Sequence, residues 1–151
     1  MRDAVRAVQD EFRRRGVRGN YTRVENLHLT LAFIGEYADA DFVLETMASV
    51  PLRPFELRLR GIGAFGDLWW IGLDRSEGLE GCVRGLRRAL AGAGIPFDRK
   101  RFSPHITLIR RAEFSGPGIP AAVPDAAMTV ERIALMRSDR GKGGVAYTEI
   151  Q

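Results

Sequence analysis

The chain has only two histidines, and each opens the same four-residue pattern: His28-Leu29-Thr30-Leu31 and His105-Ile106-Thr107-Leu108. Both lie in stretches, 27–34 and 105–110, that alternate apolar and polar residues, the mark of a half-buried β-strand. Residues i and i+2 of a strand share a face. His28 and Thr30 are therefore expected on one face, with Leu29, Leu31 and Phe33 on the other. His105 and Thr107 are opposed in the same way to Ile106 and Leu108. The apolar sets are the natural core faces, so both His/Thr pairs should look away from the core, toward solvent or a cleft. A Thr follows a given His at this spacing by chance about once in twenty, so two copies arise together on the order of once in several hundred.

The remaining segments predict what surrounds these strands. Residues 3–15 read as an amphipathic helix with Val5, Val8 and Phe12 on one face, ended by Gly16 and Gly19. Asp39 or Asp41 is placed to cap a second helix, running to about Val50 before Pro51. Residues 55–60 alternate as a strand, 61–66 read as a Gly-rich turn, and 68–73 as its antiparallel neighbour. A third helix is expected over 77–91, with Leu79, Val83, Leu86 and Leu90 inward. Strands are expected at 128–136 and 145–150, joined by the turn SDRGKGG. The order is α+β with mostly antiparallel sheet, and 151 residues suit one domain or two small lobes sharing a core. We take 1–151 as a single domain.

Charge narrows the partners. There are 23 basic against 19 acidic residues, net +4, and the sequence pI is about 9.8. The basic residues are mostly arginine, whose planar fork suits phosphate, so the surface leans toward anions. A single cysteine, Cys82, makes no internal disulfide, which points to a reducing, cytoplasmic compartment. Met1 to Arg15 carry many charges and no secretory apolar run, and no stretch approaches the ~20 apolar residues that span a bilayer.

The twin pattern suits one kind of chemistry. Opening a phosphodiester with water needs a base to deprotonate the water and an acid to protonate the leaving oxygen. The two groups belong on opposite sides of phosphorus, because attack and departure are in line. Histidine serves both roles because its ordinary titration lies near neutrality. Each Thr hydroxyl can donate to a non-bridging phosphate oxygen. Other chemistries fit less well. A metal site needs further ligands beside the two histidines, and no His-x-x-His or Cys-x-x-Cys spacing exists. No phosphate-binding Gly-x-x-x-x-Gly-Lys-Ser/Thr loop is present, and a Ser-His-Asp triad would leave one His-x-Thr unexplained.

At these motifs the chain resembles the 2H phosphoesterase superfamily, and in particular the bacterial RNA 2′,3′-cyclic phosphodiesterases once called 2′-5′ RNA ligases. The matching segments are ENLHLTLAFIGE (25–36), FELRLRGIGAF (55–65), LWWIGL (68–73), RKRFSPHITLIRR (99–111) and VAYTEI (145–150). The resemblance implies a two-lobed α+β fold, pseudo-twofold about a central cleft. It also implies hydrolysis of a terminal 2′,3′-cyclic phosphate to a 2′-phosphomonoester, without metal, ATP or other cofactor. His28 and His105 would be catalytic, and Thr30 and Thr107 would bind phosphate. Arg110 occupies the family's arginine position, five places after the second histidine, although strict alternation puts Arg111 on the His105 face. His28 is taken as the acid and His105 as the base. The implied partner is an RNA or oligonucleotide end, with no membrane and no obligate protein partner. Alternatives are another 2H activity on 2′-5′ linked oligonucleotides or nucleotide cyclic phosphates, reversible 2′-5′ ligation, or a non-catalytic RNA-end-binding module. Family members usually begin with a short apolar strand before the first helix, whereas here Met1 already lies at the start of that helix.

Other residues fit chemistry or packing. Arg99-Lys100-Arg101 could meet an RNA backbone or form a solvated loop. Phe102 could stack on a base, though core packing is the simpler role. Trp69 and Trp70 must face opposite ways in a strand, one toward the core. Tyr21 and Tyr147 are candidate pocket residues, and Cys82 reads as a small buried apolar side chain.

Overall fold

The computed structural model describes all 151 residues, Met1 to Gln151. The elements are α1 (Arg2–Arg14), β1 (Arg18–Tyr21), a 3₁₀ turn (Val24–Asn26), α2 (Ala40–Ala48), β2 (Phe55–Phe65), β3 (Leu68–Leu73), α3 (Glu77–Gly92), β4 (His105–Glu113), β5 (Ala127–Val130), β6 (Leu135–Gly141) and β7 (Gly144–Ile150). The fold is α+β, as expected, with every strand pair of known register antiparallel. The chain divides into two compact units. One comprises Met1–Thr30, Leu57–Asp74 and Ser103–Met128, the other Leu31–Glu56, Arg75–Phe102 and Thr129–Gln151.

The first unit carries most of a five-stranded sheet in the order β1-β4-β3-β2-β5. Helix α1 buries Val5, Val8 and Phe12 as its periodicity requires, and the Phe12 ring meets Trp69 edge-to-face at 5.3 Å. The helix ends in a Schellman motif: Gly16, at φ +87°, donates to the Arg13 carbonyl and Val17 to that of Phe12. Gln9 lies on the same buried face, 1% exposed, and its amide donates to the carbonyls of Thr22 (2.8 Å) and Leu108 (2.9 Å). A buried amide that reaches two backbone acceptors offsets its desolvation. Here it fastens the helix to the sheet.

The second unit packs α2 and α3 around Val43, Leu86, Leu90 and Ile95. Asp39 is the α2 cap, its carboxylate accepting from Phe42 N–H at 3.0 Å. Ser76 caps α3 by accepting from Leu79 N–H at 3.2 Å. The third helix also buries Leu79, Val83, Leu86 and Leu90, as its spacing predicts. β6 and β7 form a separate two-stranded hairpin.

The structure corrects several expected elements. The stretch 27–34 is not a regular strand; only Leu29 makes a bridge, to Ile106. Its later residues serve the other unit: Leu31, Ala32 and Ile34 pack on the Val43–Leu90 core, and the Phe33 carbonyl accepts from Asp98 N–H. Phe33 is accordingly 63% exposed rather than on a core face with Leu29 and Leu31. Residues 61–65 continue β2 instead of turning, because Gly61 at φ +60° absorbs a register shift between Arg60 and Ile62. The stretch 128–136 is two pieces, β5 in the five-stranded sheet and β6 in the hairpin, parted by 131–134. Most of SDRGKGG is strand, and Lys142-Gly143 alone makes the turn between paired Gly141 and Gly144. β1 (RGNY) escaped prediction because Gly and Asn are poor strand formers.

Candidate active site

All four residues of the two His/Thr pairs belong to the first unit. After β1, the Thr22 N–H donates to the Leu108 carbonyl at 3.0 Å, and the chain then leaves β4 through the 3₁₀ turn. It returns at Leu29, which pairs antiparallel with Ile106. Continuing that register by one residue each way sets His28 opposite Thr107 and Thr30 opposite His105. Directly opposed side chains share a face, so both histidines and both threonines emerge on one side, away from Leu29 and buried Ile106. The cross-strand diagonal between His28 and His105 corresponds to a Cβ separation somewhat under about 7–8 Å, within which both rings can reach a single phosphate. The two motifs were expected on related strands, one in each half of the chain. In the register set by the Leu29–Ile106 bridge the two segments run side by side, with each threonine opposite the other motif's histidine.

The histidines are anchored alike. Nδ1 of His28 lies 2.6 Å from the Asn26 carbonyl, and Nδ1 of His105 lies 2.7 Å from the Ser103 carbonyl, two residues upstream in both cases. A carbonyl can only accept, so each Nδ1 carries the donated hydrogen, which makes Nε2 the basic nitrogen of the neutral ring. His105 also has aromatic neighbours: Phe65, edge-on at 5.5 Å, and Trp70, tilted at 6.1 Å. Trp70 pairs with Thr107, and Gly72 with His105. The indole lies over two glycines, where a side-chain carbon at Gly63 would come within 2.4 Å of it and one at Gly72 within 3.3 Å. Gly63 and Gly72 thus keep the Trp70 ring flat against the strands beside His105. Trp69 faces the core against Phe12, so the two tryptophans do divide between faces.

A β-bulge decides where the arginines fall. Trp70 pairs with Thr107 but Trp69 with Ile109, so Leu108 is an extra residue in β4. Leu108 and Ile109 are both fully buried. The skip resets the alternation and puts Arg110, not Arg111, on the face of His105 and Thr107. Arg111 lies in a second irregularity, at φ +54°, where Arg111 and Ala112 together oppose Gly19. Gly19 is obligatory there, since a side-chain carbon would sit 2.7–2.8 Å from the Arg110 and Arg111 carbonyls.

The other candidates lie elsewhere. The Tyr21 hydroxyl donates to the Val17 carbonyl at 2.8 Å, and the Arg13 guanidinium covers its ring. Cys82 is buried in the second unit, and burial pushes its thiol pKa up, which makes it a poor nucleophile. No three His, Cys, Asp or Glu side chains come together as metal ligands. A cavity of about 570 Å³ in the first unit is walled by α1 and Pro120–Pro124 and touches none of the motif residues. No helix is long and apolar enough to cross a membrane.

Comparison with known proteins places this geometry. The family model described as the 2′-5′ RNA ligase superfamily matches residues 2–142. An RNA 2′,3′-cyclic phosphodiesterase of Geobacillus stearothermophilus is 33% identical over 132 residues; these cover 78% of this chain but 42% of that protein, so the chain spans less than half of that relative's length. One of Escherichia coli is 31% identical, covering 88% of this chain and 78% of its own. The crystal structure of TT0787 of Thermus thermophilus superposes with a TM-score of 0.82 at 31% identity, covering 99% of this chain and 88% of that one.

Proposed function

The chain belongs to the 2′-5′ RNA ligase superfamily, and from that membership we propose that it hydrolyses terminal RNA 2′,3′-cyclic phosphates to 2′-phosphomonoesters. The observation that carries the proposal is the reciprocal cluster beside and on β4: two histidines, each with Nδ1 held on a backbone carbonyl two residues upstream, and each set opposite the other motif's threonine by the Leu29–Ile106 register. The relatives' names supply the substrate class.

In the proposed reaction a water oxygen attacks phosphorus and its proton passes to His105 Nε2. The bond from phosphorus to O3′ breaks, and His28 Nε2–H protonates the departing oxygen. Thr30, Thr107 and Arg110 hold the non-bridging oxygens, on which negative charge is concentrated.

The test is a chelator-treated assay. An oligoribonucleotide ending in a 2′,3′-cyclic phosphate is incubated with the protein and with His28→Ala, and the phosphate position in the product is mapped. A 2′-phosphate formed by the unmodified protein alone, with EDTA present, is the expected result. Loss of activity on chelation, restored by a metal, would overturn the metal-free mechanism. Cleavage of 2′-5′ linked oligonucleotides in preference to the cyclic end would move the chain to another 2H activity.

A further inference from the structure

The second unit carries a concentration of positive charge that the His/Thr cluster does not use. Arg84, Arg87 and Arg88 fall on one stripe of α3, at spacings of three and four residues. The loop that follows, FDRKRF at 97–102, adds Arg99, Lys100 and Arg101, all exposed. Arg87 ties helix and loop together. Its guanidinium donates to the Lys100 carbonyl at 2.8 Å and lies 5.8 Å and 6.0 Å from the ring centres of Phe97 and Phe102. Arg99 also stacks on Phe97, at 4.7 Å. The loop is thus tied to the helix through Arg87, and Arg87 and Arg99 lie on aromatic rings rather than on carboxylates.

None of these six side chains forms an ion pair within the protein. By contrast Arg13, Arg14, Arg15, Arg58, Arg60, Arg75, Arg132 and Arg137 all have acidic partners. The nearby acid Asp98 is occupied by the Lys100 backbone N–H at 2.9 Å. The Arg87 Nε–H is buried without an acceptor from the protein. The half-buried, ring-flanked Arg87 guanidinium loses hydration without a compensating charge, and an anion resolves that imbalance. Aromatic rings interleaved with unpaired arginines form the type of surface that tracks a single-stranded nucleic acid backbone.

We propose that this helix-and-loop surface binds the phosphodiester backbone of the RNA strand upstream of the reacting end. The inference rests on the RNA-end reading above and extends it: a strand several nucleotides long, not the terminal nucleotide alone, is the substrate. Chain connectivity favours the arrangement, because the loop leads through Ser103 and Pro104 directly into His105.

Two variants test it, Arg99→Ala/Lys100→Ala/Arg101→Ala and Arg84→Ala/Arg88→Ala, each assayed on a cyclic-phosphate decaribonucleotide and on a nucleoside 2′,3′-cyclic phosphate. On the decamer, KM should rise about tenfold or more with kcat steady. The slope of log kcat/KM against log salt should become shallower by about 2 for the triple variant, since each single-strand phosphate contact contributes about 0.7. The nucleoside substrate should be turned over as before. Equal losses on both substrates, or none on the decamer, would overturn the proposal. Fluorescence anisotropy with a labelled decamer ending in a 2′-phosphate reads the surface without turnover. Salt-sensitive binding lost in both variants upholds the surface even if the unmodified protein hydrolyses neither substrate. Absent binding, or binding equal in the variants, refutes it whatever the catalytic result.

Discussion

The segments 28–31 and 105–108 carry nearly the same residues, yet one is the start of a nine-residue central strand and the other touches the sheet at a single bridge. β4 is flanked by β1 and β3 and owes its form to both ladders. The His28 segment reaches β4 from a 3₁₀ turn and departs at Leu31 for a different core. What the copies share is smaller than a strand: an apolar residue held inward, His and Thr outward, and a carbonyl two residues upstream on Nδ1. The difference teaches that the functional unit is the oriented ring with its anchor. A full ladder is one way to hold it and a bridge plus a turn is another.

The sharpest way to break the equivalence is to remove each ring. His28→Ala and His105→Ala should each reduce kcat by about 10²-fold or more, the usual contribution of general acid or base catalysis. Near wild-type turnover in either variant would end the two-histidine mechanism. The unmodified enzyme should show a bell-shaped rate profile, because a base must be neutral and an acid protonated. Loss of the base removes the rise at low pH, and loss of the acid removes the fall at high pH. If His28→Ala, measured on its residual rate, flattens the acidic limb instead, the assignment of roles reverses.

Next come the threonines. In the proposed mechanism Thr30→Ala and Thr107→Ala would each delete a hydrogen bond to a charged phosphate oxygen, worth about 1.5–3 kcal/mol. That is roughly 10- to 100-fold in kcat/KM. Reciprocal placement predicts similar losses. A loss confined to Thr107 would mean that the bridge segment orients its hydroxyl less well than the ladder does.

A comparable energy is at stake in how the weaker copy is held. Gln9 donates to Thr22, where the chain leaves for His28, and to Leu108 at the bulge. Gln9→Leu keeps the apolar contact but removes two hydrogen bonds, leaving the Leu108 carbonyl with the Thr22 N–H alone, a cost of about 1–3 kcal/mol in unfolding free energy. Denaturant titration with an unchanged slope would show it, and an unchanged midpoint would deny Gln9 its fastening role.

Much of this was legible in the sequence because it depends on local periodicity. The three helices, the apolar faces of the first and third, and the outward His/Thr pairs follow from spacing alone, whereas the choice of Asp39 over Asp41 as the α2 cap needed the structure. What was not legible depends on partners distant in the chain. Phe33 alternates perfectly in sequence, but its segment changes partners after Thr30, so alternation misassigns it. Gln9 reads as one more polar residue on a helix until Thr22 and Leu108 arrive beside it. Gly63 reads as part of a turn because the indole that requires it lies across the strands.

The choice between Arg110 and Arg111 concentrates the same lesson into the smallest expected effect. Strict alternation from His105 selects Arg111, and only the pairing of Trp69 and Trp70 with residues two apart shows that Leu108 is skipped. Arg110→Ala should reduce kcat/KM by about fivefold, near the ~1 kcal/mol limit for a solvent-exposed charge pair, while Arg111→Ala should leave it unchanged. Arg111 carries its own strain at φ +54°, so Arg111→Gly should gain stability with activity intact, because glycine adopts that conformation without strain. If Arg111→Ala instead causes the larger kinetic loss, the alternation runs straight through Leu108 when substrate is bound. The bulge would then belong to the free protein alone, and the two histidine segments would differ in rigidity as well as in pairing.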